Sequence, residues 1–226
     1  MVQCYKDFCE ELLSAGFSLG GGSDKGIYAV VPFDWTEQPE NTAVRWHTGE
    51  PDTDPWEWRM RVLEERSDIA YAKVFFRNSG FITREWYPYF LAARRSGTFE
   101  DAWEAGEISR TAKQIYCAVR DGGRVAAHDI KRLAGLEGET SAHIEKALTD
   151  LQMKMFLTIC GRRQKLNMYG EPYGWSSTVF CTPEEFWQES FEDLPDRDQA
   201  IQRIAARVAQ LNPGAQERKI RKFIYG

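Results

Sequence analysis

The order of patterns between Ile108 and Thr182 constrains this chain more than any other stretch. Ser109 to Arg120 has helical periodicity, Gly122-Gly123 breaks it, Ala126 to Ala134 makes a short second helix and Ser141 to Gln152 a third. Two β-type runs follow, Lys154 to Cys160 and Ser176 to Cys181, rich in Phe, Ile, Val and Thr. Ser109 and Thr140 or Ser141 can accept from the orphan N–H groups at helix starts, and Gly122 and Gly135 suit the left-handed residue that ends a helix. On the third helix Ile144, Ala147, Leu148 and Leu151 recur three and four apart, so one stripe is predicted to be buried. The segment joining the two strands, Gly161-Arg-Arg-Gln-Lys165 through Gly170-Glu-Pro-Tyr-Gly174, is too polar for a core. Three helices followed by a hairpin with a polar tip is the order of a winged helix-turn-helix, with that tip as the wing.

The rest of the chain is read as an α+β setting for this module. Residues 1–107 are expected to form an N-terminal α+β region with a small antiparallel sheet, 108–182 the winged helix, and 183–226 C-terminal helices packing on the rest. No flexible linker separates these parts, so a shared core is expected. Tyr5 to Leu13 is an amphipathic helix ended by Gly16, and Ile27 to Val31 a short strand stopped by Pro32. Between them, Gly20 to Gly26 lacks the Lys-Ser/Thr ending of a phosphate loop and precedes a strand, so a hairpin-like connection is the simpler reading. Asp54 as cap, Pro55 at the first position and Glu57 after it start a helix over Trp56 to Arg66, on which Trp56, Met60 and Leu63 are read as core. Ile69 to Phe76 and Phe81 to Arg84 form a hairpin around Arg77-Asn-Ser-Gly80. Thr182-Pro-Glu-Glu185 starts another helix, Asp196 to Leu211 a longer one, and Ala215 to Ile224 a last one with Ile220, Phe223 and Ile224 opposite its basic residues.

Charge narrows the partners. With 226 residues, 42% hydrophobic and 13% aromatic, the chain can bury a sizeable core, but its net charge of −5 is the wrong sign for gripping phosphate over its whole surface. Seven acids against Arg197 in residues 183–198, and seven against three arginines in residues 50–68, make faces that repel nucleic acid. Basic groups concentrate at Arg162, Arg163 and Lys165 in the wing, at Arg124, Lys131 and Arg132 around the second helix, and at Arg218, Lys219, Arg221 and Lys222 near the C-terminus. Those ten residues are the candidate nucleic-acid face. The third helix and its approach instead carry Glu139, Glu145 and Asp150 against Lys146, an unfavourable charge for a helix entering the major groove. Any nucleic acid, DNA or RNA, is therefore expected to be met mainly through the wing and the C-terminal cluster, with protein contact as an alternative that the acidic faces would suit.

Cysteine and histidine placement gives no metal site. The five cysteines form no Cys-x-x-Cys pair, and His47, His128 and His143 have no second ligand at helical spacing. Cys117, Cys160 and Cys181 are read as core thiols, and no cofactor is implied. No apolar run is long enough to span a bilayer and the N-terminus lacks a signal peptide's order, so a cytoplasmic location is expected. Two clusters of rings beside charge, Trp58-Arg59 and Arg84-Glu-Trp-Tyr87, are proposed to border one pocket, because burying both separately with every polar end satisfied is costly.

The runs Thr48-Gly-Glu-Pro-Asp-Thr-Asp-Pro-Trp-Glu-Trp-Arg59, Gly80-Phe-Ile-Thr-Arg-Glu-Trp-Tyr-Pro-Tyr-Phe90 and Leu151-Gln152 through Tyr173-Gly-Trp-Ser-Ser-Thr-Val-Phe180 resemble a bacterial AlkZ-related family, distant relatives of the AlkZ-like DNA glycosylases. The resemblance covers nearly the whole chain and implies a DNA-repair setting; the glycosylases themselves are built from tandem winged helices and a β-barrel and excise alkylated or crosslinked purines. Their catalytic Gln-x-Gln or Gln-x-Asp triplet occurs nowhere in this sequence. Glu85, Gln152 and Gln164 are the residues of suitable chemistry that remain, none with supporting spacing. The reading is a winged-helix nucleic-acid-binding protein without a catalytic motif, with a divergent glycosylase as the alternative.

Overall fold

A computed structural model describes residues 1–22 and 26–226. Ser23, Asp24 and Lys25, in the glycine-rich connection, lie outside the described residues. Along the chain run α1 (Tyr5–Ala15), β1 (Phe17–Leu19), α2 (Pro55–Glu65), β2 (Ile69–Phe75), β3 (Asn78–Thr83) and α3 (Tyr87–Arg94). Then come α4 (Phe99–Glu104), α5 (Arg110–Gly122), β4 (Val125–Ala126), α6 (Ala127–Leu133), α7 (Ser141–Met153), β5 (Thr158–Arg163) and β6 (Ser177–Cys181). The helices α8 (Pro183–Trp187), α9 (Arg197–Leu211) and α10 (Glu217–Tyr225) complete the described elements. The α+β class expected from the sequence holds. Two compact units result, one of Met1–Arg94 with Glu192–Gly226, the other of Arg95–Phe191.

In the first unit β3 pairs antiparallel with both β1 and β2. The helix α3 packs on α9 and α10, and α2 on β2. Phe17, Phe75, Phe90 and Phe223, all fully buried, form one aromatic cluster in which Phe75 and Phe223 stack at 4.0 Å. A second cluster joins Trp58 to Phe8 at 5.0 Å and Phe8 to Phe81 at 5.2 Å. The Arg94 guanidinium is buried beside the first cluster and donates to the carbonyls of Val74 (2.7 Å), Phe223 (2.7 Å) and Ile224 (2.8 Å). Burial pulls it down to about 9, still charged at neutral pH. It thus satisfies carbonyls at the end of α10 that have no helical partner. Arg207 on α9 does the same for α1, donating to Ala15 O at 3.0 Å and to Ser14 O.

Asp54 fixes the long loop before α2. Its fully buried carboxylate accepts from the backbone N–H of His47 (3.0 Å), Gly49 (2.9 Å) and Trp56 (2.8 Å), capping the helix and folding residues 47–49 onto it. His47 is held at φ +61, a conformation few non-glycine residues adopt.

In the second unit β6 pairs antiparallel with β5 and β4, and α5 packs on α6 and α7. Ser109, Thr140 and Thr182 cap α5, α7 and α8 through side-chain oxygens, as the sequence suggests. Phe99 stacks on Tyr116 at 3.6 Å, and Phe156 meets Phe99 edge-on at 5.2 Å.

Four local expectations are corrected. Ile27 to Val31 forms no continuous ladder: Tyr28 O and Val31 O accept from the Leu19 and Gly22 N–H groups, but the Val30 N–H goes to the Ser18 hydroxyl (2.9 Å), which donates onward to Leu19 O. The β2–β3 loop is Phe76-Arg77, both at positive φ, since Phe75 already pairs with Asn78. Gly80 is needed instead for close approach, because a Cβ there would lie 2.2 Å from the Phe75 ring. Residues 154–157 are not strand: Lys154 ends α7, Met155 takes φ +61, and the Phe156 and Leu157 N–H groups return to Leu151 O. On α2 the buried face is Pro55, Trp58 and Val62 with Met60, so Trp58 is core and Trp56, 42% exposed, is not.

Two substitutions test this account. Asp54→Ala leaves three N–H groups without their acceptor and should cost about 2–4 kcal/mol in urea unfolding. Arg94→Met strands buried carbonyls and should cost about 3 kcal/mol, with Arg94→Lys recovering only part, since an ammonium cannot span three acceptors in a fork.

Candidate functional site

The β5–β6 hairpin of the second unit gathers the features that point outward. Its ladder pairs Arg162 with Thr178 and Arg163 with Ser177, after an irregularity between Ile159 and Gly161. Beyond the ladder the chain is held by its own polar side chains. Gln164 donates from Nε2 to Tyr173 O (3.1 Å) and Gly174 O (3.2 Å), while its Oε1 accepts from the Ser176 hydroxyl (2.8 Å). At the tip, the Asn167 side chain accepts from the N–H groups of Tyr169 (2.9 Å) and Glu171 (3.0 Å). A loop so braced can hold large rings in water. Trp175 is 90% exposed, Met168 88% and Tyr169 79%, with Tyr173 and Leu166 also exposed. Apolar groups clustered on a projecting loop mark an interaction surface, since folding gains nothing from them there.

Basic side chains flank these rings. Arg162 and Arg163 are exposed and Lys165 half-buried. Arg163 lies 4.0 Å from Asp129 and donates to Arg124 O at 3.2 Å; Arg132 pairs with Asp129 at 3.1 Å and Arg124 with Glu185 at 3.3 Å. Lys131 is half-buried. Such exposed pairs are individually weak, so an incoming phosphate can displace the carboxylate at little cost. On α7, Glu145 is exposed and Asp150 half-buried, and Glu139 meets exposed His143 at 3.0 Å. Of the C-terminal cluster on α10, Arg218, Arg221 and Lys222 are exposed and Lys219 is half-buried.

The residues of suitable catalytic chemistry have structural tasks. Gln152 is 2% exposed and donates to Leu148 O at 2.9 Å within α7; Gln164 braces the hairpin; Glu85 is exposed and 3.5 Å from Arg203. The two ring-and-charge clusters do not border one opening. Trp58 is sealed in the core, Arg59 lies over the exposed Trp56 ring at 3.3 Å, and Tyr87 is buried at the start of α3. Glu85 and Trp86 flank a recess with Arg203 and Arg207, and the Arg84 N–H donates to Asp68 O. The charged ends stay at the surface or find separate partners, while the Trp58 indole N–H is buried without a hydrogen-bond acceptor among the described residues.

Sequence reasoning passed over two sets of residues. Leu166, Met168, Tyr169, Tyr173 and Trp175 stand within a segment whose polarity drew attention to its cations. A recess in the first unit is lined by Trp35 and Trp46, which drew no notice, with His47 and the α2 residue Trp56, which the sequence suggested for other roles. Unburied rings inside a Gly- and Pro-punctuated loop were the available signal for both.

Fold and surface define a two-unit α+β protein whose second unit displays a basic, ring-bearing hairpin. Residues 2–225 match the AlkZ-related family, and the chain belongs to it, as the three runs around Trp58, Trp86 and Trp175 suggest. No curated protein matches the chain. Among solved structures it is similar to the Streptomyces sahachiroi DNA glycosylase AlkZ, with a TM-score of 0.41 and 12% identity over 76% of this chain and 50% of that one. This chain therefore spans about half of that protein's length, and the likeness is too loose to transfer any residue's role. No helix among the described residues is long and apolar enough to cross a membrane.

Gln164 offers a local test. Gln164→Ala should speed amide exchange between Lys165 and Trp175 while leaving the global unfolding midpoint nearly unchanged, because its bonds close only the hairpin. Unaltered exchange would mean that the ladder alone orders the tip.

Proposed function

We propose that residues 108–182 act as a winged-helix module that binds DNA in a repair-related role, with the β5–β6 hairpin as its wing. The observation that carries this reading is the hairpin itself, a braced projection with Arg162, Arg163 and Lys165 beside exposed Tyr169, Tyr173 and Trp175. Cations meet the backbone and release counterions; rings stack on bases wherever strands are open. The order of α5, β4, α6, α7, β5 and β6, with β4 joined to β6, supports the module. Membership of the AlkZ-related family supports the repair setting.

Contact through this hairpin, rather than through α7, follows from charge. Glu139, Glu145 and Asp150 would face phosphates at groove depth, where Lys146 offers little compensation. Binding is accordingly weak and largely independent of sequence. Excision chemistry is not part of the proposal: the sequence holds no Gln-x-Gln or Gln-x-Asp triplet, and Gln152 and Gln164 are bonded within α7 and the hairpin.

The test is fluorescence anisotropy with several duplexes over a range of salt. Replacing Arg162, Arg163 and Lys165 together by Gln should weaken binding on every sequence and flatten the salt dependence, by about one unit of slope per lost phosphate contact. An unchanged slope in the triple variant, or no binding by the natural protein at low salt, overturns the reading in favour of protein contact.

A further inference from the structure

Within the first unit, beside the ends of β1 and β3, lies a recess of about 290 Å³ with three indoles in its lining. Trp35, Trp46 and Trp56 line it with His47, and Gly20 and Gly21 line it without side chains. Trp46 rests directly on Gly21, where a Cβ would come within 2.5 Å of the ring, and its Nε1 donates to Phe33 O at 3.2 Å. The His47 ring sits 4.8 Å from that of Trp56, and both residues are anchored by backbone N–H bonds to buried Asp54. The recess is therefore preorganised, and part of it stays open: Trp35 is 67% exposed and Trp56 42%.

Its charge is one-sided. Among the described lining residues there is one carboxylate, Asp34, and neither Lys nor Arg. Asp34 Oδ1 accepts from the Thr36 N–H (2.8 Å) and hydroxyl (2.5 Å), which hold this exposed carboxyl ionised below its usual range. Indole faces are electron-rich, so three of them beside a carboxylate favour a positive guest and repel phosphate. One face of Trp56 is already taken by Arg59, 3.3 Å over the ring, and is closed to a guest.

We propose that this recess is a binding site for a small organic cation, its charge spread over an alkylated nitrogen, held by the faces of Trp35, Trp46 and Trp56 and balanced by Asp34. A compact ammonium keeps its water too strongly to use such walls, whereas alkyl groups bury against indole while the charge remains felt. The same chemistry occurs in an aliphatic quaternary ammonium and in a flat N-alkylated ring. This site is independent of the DNA-binding hairpin and stands without it.

The full chain is titrated by calorimetry with choline and with 1-methylpyridinium, each against a neutral analogue, 3,3-dimethylbutan-1-ol and toluene. Saturable binding of either cation, with its analogue at least about tenfold weaker, supports the proposal, and the tighter of the two identifies the source as aliphatic or flat. Trp35→Ala, at an exposed position that folding does not need, should weaken the cation about five- to thirtyfold, and Asp34→Asn should weaken the cation but not the analogue. Equal binding of cation and analogue, no effect of Trp35→Ala in a protein with unchanged circular dichroism, or no heat from either cation at millimolar concentration overturns it.

Discussion

A buried carboxylate, that of Asp54, sets much of the first unit. Asp54 is out of water, which for a lone charge is costly, and three converging backbone N–H groups offset that cost. One donor lies in α2 and two in the loop before it, so the same group starts the helix and fixes the turn at His47. With α2 placed, Trp58 points inward against Phe8, and α1 is held in turn. The positive φ of His47 is affordable because its N–H is fixed by the strongest acceptor nearby.

Arginines do the converse at helix ends. Arg94 gathers the carbonyls where α10 finishes, and Arg207 those where α1 finishes, each across more than a hundred residues of sequence. In the second unit Arg95 donates to Met155 O beside the turn after α7 and pairs with Glu184 at 3.0 Å. At α1 and α10 the arginines add to glycine caps, Gly16 donating to Leu12 O and Gly226 to Lys222 O, and each also decides which distant segment lies alongside.

Sequence patterns revealed those elements whose signals are local. Asp54-Pro55, Ser109, Thr140 and Thr182-Pro183 are caps whose side chains act on N–H groups a few residues away, and each helix begins where they place it. Failures came where a distant residue decides. Trp56-Met60-Leu63 and Pro55-Trp58-Val62 both have helical spacing, and only the contact of Trp58 with Phe8 selects the second. Ile27 to Val31 has strand composition and keeps two backbone bonds, to Leu19 and Gly22, but the Ser18 hydroxyl takes the Val30 N–H and interrupts the ladder. Met155 to Leu157 is apolar because it plugs a core after a left-handed turn. The cations of the hairpin were legible from charge alone, whereas its rings and the tryptophan recess were not, because periodicity describes what is buried and says little about apolar groups kept in water.

The first unit is discontinuous in sequence, and that has a consequence for how the chain is made. Its aromatic cluster takes Phe17, Phe75 and Phe90 from before the second unit and Phe223 from after it. At usual rates of synthesis, on the order of ten seconds separate the emergence of Phe90 and Phe223, and the second unit emerges complete in that interval. During it the faces that will receive Phe223 remain open to water or to a chaperone. Maturation of the first unit is thereby tied to the synthesis of α10, and a ribosome that stalls within α9 leaves a chain with a finished second unit and an unclosed first one.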